Sequence, residues 1–278
     1  MGTINLSDKV AIVTGGGRGL GRAMTLSLVE AGASVCAATY NAEDIDNLRT
    51  ECDSLPGRVL AIETDIRSAE DCAIAVRSTV DAFGGVDMLV NNAGVGMVLV
   101  SDKYTRVAPK FWEIEPDAWR QIIDTNFSGA FQMAREATPH MLEKGWGRIV
   151  NVTTSIHTMQ RKGYSPYGSS KAAFEAASLS WSEDLEGTGV SVNILIPGGA
   201  ADTTLLPGKP GDPGRSGADG NLLDPVVMKA GIQWLASNFS DGVNGLRFIG
   251  KDWDSSLPPE RGAENAAGPI GFDPRPKQ

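Results

Sequence analysis

The sequence predicts an α/β domain built on a single doubly wound, mainly parallel sheet of seven strands with helices on both faces. Three observations carry this reading. Short apolar runs alternate with longer stretches of helical pattern through most of the chain. Several of the runs are almost unbroken in apolar residues, as strands covered on both faces must be. Glycines stand where helices have to stop, Gly32 after the first and Gly187 after the fifth.

Taken in order, the strands are expected in "KVAIVTG", "ASVCAAT", "RVLAIETD", "VDMLVNNAG", "GRIVNVTTS", "VSVNILIPG" and "GLRFIG". Between them the helical spacing predicts helices over 20–31, 42–54, 68–83, 117–143, 167–186 and 224–237. Two connections are too long for compact α/β packing. Residues 95–116 follow the fourth strand, and residues 203–224, rich in Gly and Pro, follow the sixth and are expected to be mobile. Both leave from the carboxyl ends of strands, where open α/β sheets bind ligands, so both are read as variable loops beside the site. Residues 251–278 show little apolar periodicity and are expected to form an extended C-terminal arm.

Bulk composition narrows the function classes. The chain has 278 residues, 41% hydrophobic and 21% charged, with a net charge of −9. No Lys/Arg cluster interrupts the acidity along the sequence, which argues against nucleic acid or an anionic membrane as partner. Cys36, Cys52 and Cys72 are odd in number and lack Cys-x-x-Cys spacing, so the expected compartment is the reducing cytoplasm. His140 and His157 are too few and too scattered for a metal site. The N-terminal segment shows no signal-peptide pattern, and no apolar run approaches bilayer length.

The chemistry is concentrated in short motifs. "TGGGRGLG" at 14–21 follows the first strand and opens the first helix. Glycines there let backbone approach a pyrophosphate, and the helix N-terminus offers free N–H groups and partial positive charge. In "YSPYGSSK" at 164–171, only Tyr167 has a lysine four positions on, at Lys171. Residues four apart share a helix face, and a cation close to a phenol favours the phenolate, whose free pKa is near ~10.

Together with "NNAG" at 91–94, Asp65 in "ETDIR", Asn126 in "DTNFSG" and "IPGG" at 196–199, these motifs resemble those of the short-chain dehydrogenase/reductase family. The resemblance spans residues 10 to about 203 and implies a Rossmann-type fold in which all 278 residues form one dinucleotide-binding catalytic domain. It implies hydride transfer between a nicotinamide cofactor and a carbonyl or secondary alcohol, with Tyr167 as general acid/base. Lys171 would hold the nicotinamide ribose and lower the tyrosine pKa, and Asn126 would continue a proton path. The cofactor-binding residues implied are Gly15, Gly17, Arg18, Gly19, Leu20, Thr39, Asp65, Ile66, Asn92, Ala93, Gly94, Pro197, Gly198 and Thr203, besides Tyr167 and Lys171. No metal is implied.

The family usually places a serine thirteen residues before the tyrosine. Counting back from Tyr167 reaches Thr154, and Ser155 follows it. Successive strand residues face opposite ways, so only one of these hydroxyls can serve. Thr154 is favoured, and Ser155 takes the role if the strand ends or bulges there. His157 is either a substrate contact or an exposed loop residue. Tyr104, Trp112 and Trp119 are either pocket wall or packing, and Tyr164 is a bystander lining the pocket.

NAD-specific members of the family carry an Asp at the end of the second strand, where its carboxylate binds the ribose 2′-hydroxyl. Here that position is Thr39, and Arg18 lies in the glycine loop, so NADP(H) is favoured over NAD(H). Family members assemble through the two long helices, which predicts a homodimer or homotetramer. The competing readings are a non-catalytic dinucleotide-binding sensor or scaffold, which has no need of Tyr167, Lys171 and Asn126 together, and an enzyme of this fold catalysing dehydration or isomerisation.

Overall fold

The computed structural model describes residues 4–217 and 220–271. Its sheet has eight strands in the order β3-β2-β1-β4-β5-β6-β7-β8. They are β1 Val10–Thr14, β2 Ser34–Thr39, β3 Arg58–Glu63, β4 Met88–Asn91, β5 Gly147–Asn151, β6 Val190–Ile196, β7 Leu246–Ile249 and β8 Ala267–Pro269. The first seven run parallel and β8 pairs antiparallel with β7. The helices are α1 Gly19–Glu30, α2 Glu43–Cys52, α3 Ala69–Phe83, α4 Pro116–Ile123, α5 Gly129–Lys144, α6 Ile156–Met159, α7 Ser165–Asp184, α8 Lys229–Ala236 and α9 Pro259–Ala266. Among the described residues no helix is long and apolar enough to cross a membrane.

Side-chain alternation along the strands builds two cores. Val13, Val35, Val90, Val150 and Leu195 pack on one face with α1 and α8 residues such as Leu28 and Ile232. Their neighbours Ile12, Cys36, Leu89, Ile149 and Val192 face the other way, onto Met133 and Met141 of α5. Successive side chains point to opposite faces, so a strand covered on both sides reads as continuously apolar. The order in which strands are added reverses between β1 and β4, which places a crevice at their carboxyl ends.

Two expectations need correction. The stretch expected to be one helix over 117–143 is broken by a π-helical turn, Asp124–Ser128, between α4 and α5. Its extra residue turns Asn126 inward, where it is fully buried. The seven expected strands are all present, with the short β8 added at the edge, but the segment after 250 is not an extended arm throughout. Pro259 starts α9 at a position where its missing N–H costs nothing. Ala263 and Ala266 then enter the core, and Ile270 packs on Ile194 and Ile196. The signal was weak because β8 is Ala-Gly-Pro: it forms by satisfying the open edge of β7 rather than by its own apolar pattern. Residues 272–278 of the expected arm lie outside the described residues.

The end of the described chain reaches a buried polar cluster behind β5. Glu175 of α7, fully buried, pairs with Arg247 of β7 and accepts hydrogen bonds from Thr153 Oγ1 (2.8 Å) and the Gly271 amide (3.1 Å). Arg247 also donates to the Thr154 carbonyl at 3.5 Å.

Candidate active site

The glycine loop lies where β1 meets α1. Gly15 and Gly19 have φ of +62° and +53°, a region that disfavours side chains. Thr14 locks the loop to the end of β4. Its hydroxyl accepts from the Asn92 and Ala93 amides, both at 3.0 Å, while Asn92 Nδ2 donates to the Thr14 carbonyl at 2.9 Å. Several of the residues expected to bind cofactor meet at this crevice. A Cβ on Gly19 would stand 3.1 Å from Thr203 Cγ2, and one on Gly94 would stand 3.2 Å from Asn126 Oδ1 and 3.7 Å from Lys171 Nζ. Gly94 therefore brings backbone close to two polar side chains, and a side chain there would crowd Asn126. Ile66 sits against Gly129 at the start of α5, and Leu20 packs on the core below the loop. Asp65 is held by Arg67, whose hydrogen bonds lower the carboxyl pKa. Gly198, at φ +92°, follows Pro197, whose carbonyl accepts from the Lys251 amide at 3.1 Å.

At Thr39 the structure adds a residue the sequence count did not find. Asp44, in the first turn of α2, places Oδ2 3.5 Å from Thr39 Oγ1 and accepts from Arg18 Nε at 2.7 Å. Glu43 takes a second bond from Arg18, at 3.2 Å. No strand-end count could show this, because the carboxylate arrives from the following helix.

The residues expected to react lie at the carboxyl ends of β4 and β5. Asn126 Oδ1 accepts from the Val95 amide (2.8 Å), while its Nδ2 donates to the Val95 carbonyl (3.0 Å) and Ser170 Oγ (3.1 Å). Tyr167 and Lys171 are buried on the same face of α7, and Lys171 Nζ donates to the Val152 carbonyl at 2.8 Å. Burial dominates both: it pushes the Tyr167 phenol up to about 12 and the Lys171 ammonium down to about 8. A lysine-driven drop in the tyrosine pKa is thus not what the protein alone displays. The opposing influence on Tyr167 is a hydrogen bond with the Thr154 side chain.

The two candidate hydroxyls are separated by what they touch. Thr154 meets the Tyr167 phenol, whereas Ser155 caps α6, accepting from the Thr158 amide at 3.2 Å. His157 is exposed on α6. Tyr104 packs in one cluster with Tyr167, beside Met97 and Ile122, whereas Trp112 is 67% exposed. Tyr164 lines the site edge-on to both, with ring centroids 5.5 Å from Tyr104 and 6.5 Å from Tyr167. The loop expected to be mobile, 203–224, has internal order in its described part. Arg215 pairs with Asp202 and donates to the Pro207, Thr203 and Leu206 carbonyls. Among the described residues no cluster of His, Cys, Asp or Glu has the arrangement of a metal site.

Comparison with known proteins identifies the family and agrees with the fold. The family model described as short chain dehydrogenase matches residues 9–210. A 3-oxoacyl-[acyl-carrier-protein] reductase of Thermotoga maritima is 31% identical over 252 residues, covering 90% of this chain and 98% of that protein. A 2,5-dichloro-2,5-cyclohexadiene-1,4-diol dehydrogenase of Sphingobium indicum is 29% identical, covering 87% of this chain and 94% of its own. A crystal structure of a dehydrogenase/reductase from Sinorhizobium meliloti superposes with a TM-score of 0.75 at 31% identity, over 89% of this chain and 94% of that one. A 3-ketoacyl-(acyl-carrier-protein) reductase from Brucella melitensis, solved with NADH, gives 0.74 at 25% identity, over 87% and 96%. With a glycine loop tied to the end of β4, a buried tyrosine–lysine pair and these relatives, the chain belongs to the short-chain dehydrogenase family of nicotinamide-dependent oxidoreductases.

Proposed function

We propose that the protein reduces a carbonyl or oxidises a secondary alcohol, with Tyr167 as the proton donor or acceptor. The observation carrying this reading is the pairing of the buried Tyr167 phenol with the Thr154 hydroxyl, beside the buried Lys171. A nicotinamide dinucleotide, when bound, supplies or accepts the hydride. The glycine loop with Asn92, Ala93, Gly94, Pro197, Gly198 and Thr203 would hold it, and Asp65 and Ile66 would border its adenine end. Thr154 and Tyr167 both offer hydrogen bonds to one substrate oxygen, polarising the carbonyl. Because Tyr167 keeps its proton up to about pH 12, it is a donor across the physiological range. Lys171, poised near 8, is the group able to exchange a proton near neutral pH, and Asn126 fixes the backbone beside it. Ser155 and His157 take no part in this arrangement.

NADP(H) is the favoured cofactor, because Thr39 replaces the strand-end acid and Arg18 is within the loop. A 2′-phosphate has to draw Arg18 away from Asp44 and Glu43, so the preference over NAD(H) is expected to be modest, about tenfold or less. Titration with NADPH and NADH by nicotinamide fluorescence, followed by a ketone and diketone panel, tests both statements. Tyr167→Phe is expected to lower turnover by ~10²–10⁴ with cofactor affinity unchanged. Turnover persisting in that variant refutes the assignment, and failure of both cofactors to bind refutes the glycine-loop reading.

A further inference from the structure

One rim of the site, beside Tyr104 and Tyr164, carries a charge opposite to that of the chain. The 101–110 segment and the 156–164 segment are brought together by the Tyr104–Tyr164 ring contact and by Gly163, which lies against Ala108. Across them stand Lys103, Arg106, Lys110, Arg161 and Lys162 against a single carboxylate, Asp102, in a protein with 34 acidic and 25 basic residues. Lys110 reaches Glu113 outside these segments, but among the described residues Lys103, Arg106, Arg161 and Lys162 make no salt bridge. Arg161 is the most constrained of the four. Its guanidinium lies 4.8 Å from the centre of the Tyr164 ring and donates to the Tyr164 hydroxyl at 3.4 Å. Tyr164 in turn stands edge-on to Tyr167 at 6.5 Å.

A guanidinium stacked on an aromatic ring is held flat with donors still free. Here it is one ring removed from the proposed proton donor, half-buried and without a carboxylate of its own. The cations around it focus a positive field where substrate must enter, in a molecule that otherwise repels anions. We propose that Arg161, supported by Lys162, Arg106 and Lys103, binds an oxyanion of the substrate. The substrate is then an acidic carbonyl compound or alcohol, whose carboxylate or phosphate is separated from the reacting carbon by a spacer as long as the Tyr164 ring requires. This rests on the reading of Tyr167 as the reacting phenol. Tyr104, buried and packed edge-on against the half-buried Tyr164, fixes the ring on which the guanidinium lies.

The test uses matched substrates, 5-oxohexanoate, its methyl ester and 5-oxohexyl phosphate, at saturating cofactor. The expected result is a kcat/KM for one or both anions at least about tenfold above that for the ester, with salt reducing the difference. In Arg161→Gln that advantage is lost while the ester rate changes little, and Arg161→Lys keeps part of it. The faster anion identifies carboxylate or phosphate as the group recognised. An ester turned over as well as the acids, or an anion preference unchanged in Arg161→Gln, overturns the proposal. If none of the three is turned over with cofactor bound, calorimetric binding of 5-oxohexanoate decides separately. Binding lost in Arg161→Gln upholds the subsite while the catalytic reading fails, and no binding, or equal binding in both proteins, overturns the subsite too.

Discussion

Replacing Glu175 by Gln should be among the most damaging single substitutions outside the reacting groups. The Glu175 carboxylate is fully buried and Arg247 is 7% exposed, so water cannot compensate for loss of either charge. Glutamine keeps an acceptor for Thr153 Oγ1 or the Gly271 amide, and the main loss is therefore the charge facing Arg247. Arg247 already has one buried donor, Nε, without a partner, so it has little to fall back on. Stranding a buried charge in this way costs about 3–5 kcal/mol, a large share of the roughly 5–15 kcal/mol that holds a domain folded. Urea denaturation followed by circular dichroism, at one protein concentration and pH 7, measures it. Arg247→Met should cost a similar amount. Pairing it with Glu175→Met should cost far less than the two single changes together, because no unpaired charge remains. A loss below about 1 kcal/mol for Glu175→Gln, or a double variant whose cost is simply additive, would refute the argument. Because the pair also holds Thr153 and the Thr154 carbonyl, kcat should fall in the single variants as the Thr154 hydroxyl loses its position.

Further outcomes follow from the site. Thr154→Ala should lower kcat by roughly 10²-fold, while Ser155→Ala should cost about 1 kcal/mol of stability as a lost helix cap and leave kcat within a fewfold; the reverse pattern would exchange their roles. Lys171 has its pKa lowered from 10.5 to about 8, so the unfolded chain binds more protons between those values and stability should rise with pH there. That rise, of order 3 kcal/mol, should be missing in Lys171→Met when urea unfolding is compared at pH 7 and pH 10. Tyr167 acts in the opposite sense, its stabilising contribution declining above pH 10 towards about 12. Asp44→Asn should raise the NADPH-to-NADH affinity ratio by about three- to tenfold in a fluorescence titration, and an unchanged ratio would remove Asp44 from cofactor choice.

Much of this was legible because the sheet is covered on both faces. Continuous apolar runs marked β1, β2, β4, β5 and β6, and the glycine loop, Tyr167 and Lys171 were visible as local spacing. What escaped the sequence were features made by distant segments meeting. Asp44 reaches Thr39 from the next helix, Arg247 reaches Glu175 from 72 residues away, and Arg161 gains its meaning only when 161–164 folds against 104–108. The π-turn at Asn126 keeps helical periodicity on both sides, so apolar spacing alone does not reveal the break. Strand β8 was invisible for the opposite reason: its three residues have little strand preference and borrow their conformation from β7.

That small eighth strand also limits how copies of the protein can meet. Without it, the backbone groups along the outer side of β7 would be open to another chain adding itself to the sheet. Ala267-Gly268-Pro269 occupies that side from within the same molecule, and Pro269 has no amide proton to offer outward. At the far end β3 begins with Arg58 and finishes with Glu63, charged residues unsuited to a continuous seam. Self-association by sheet extension is therefore discouraged at both margins. A stable assembly would have to be made face to face across helices, where Phe131 (50% exposed) and Leu142 (43%) of α5 leave apolar surface uncovered.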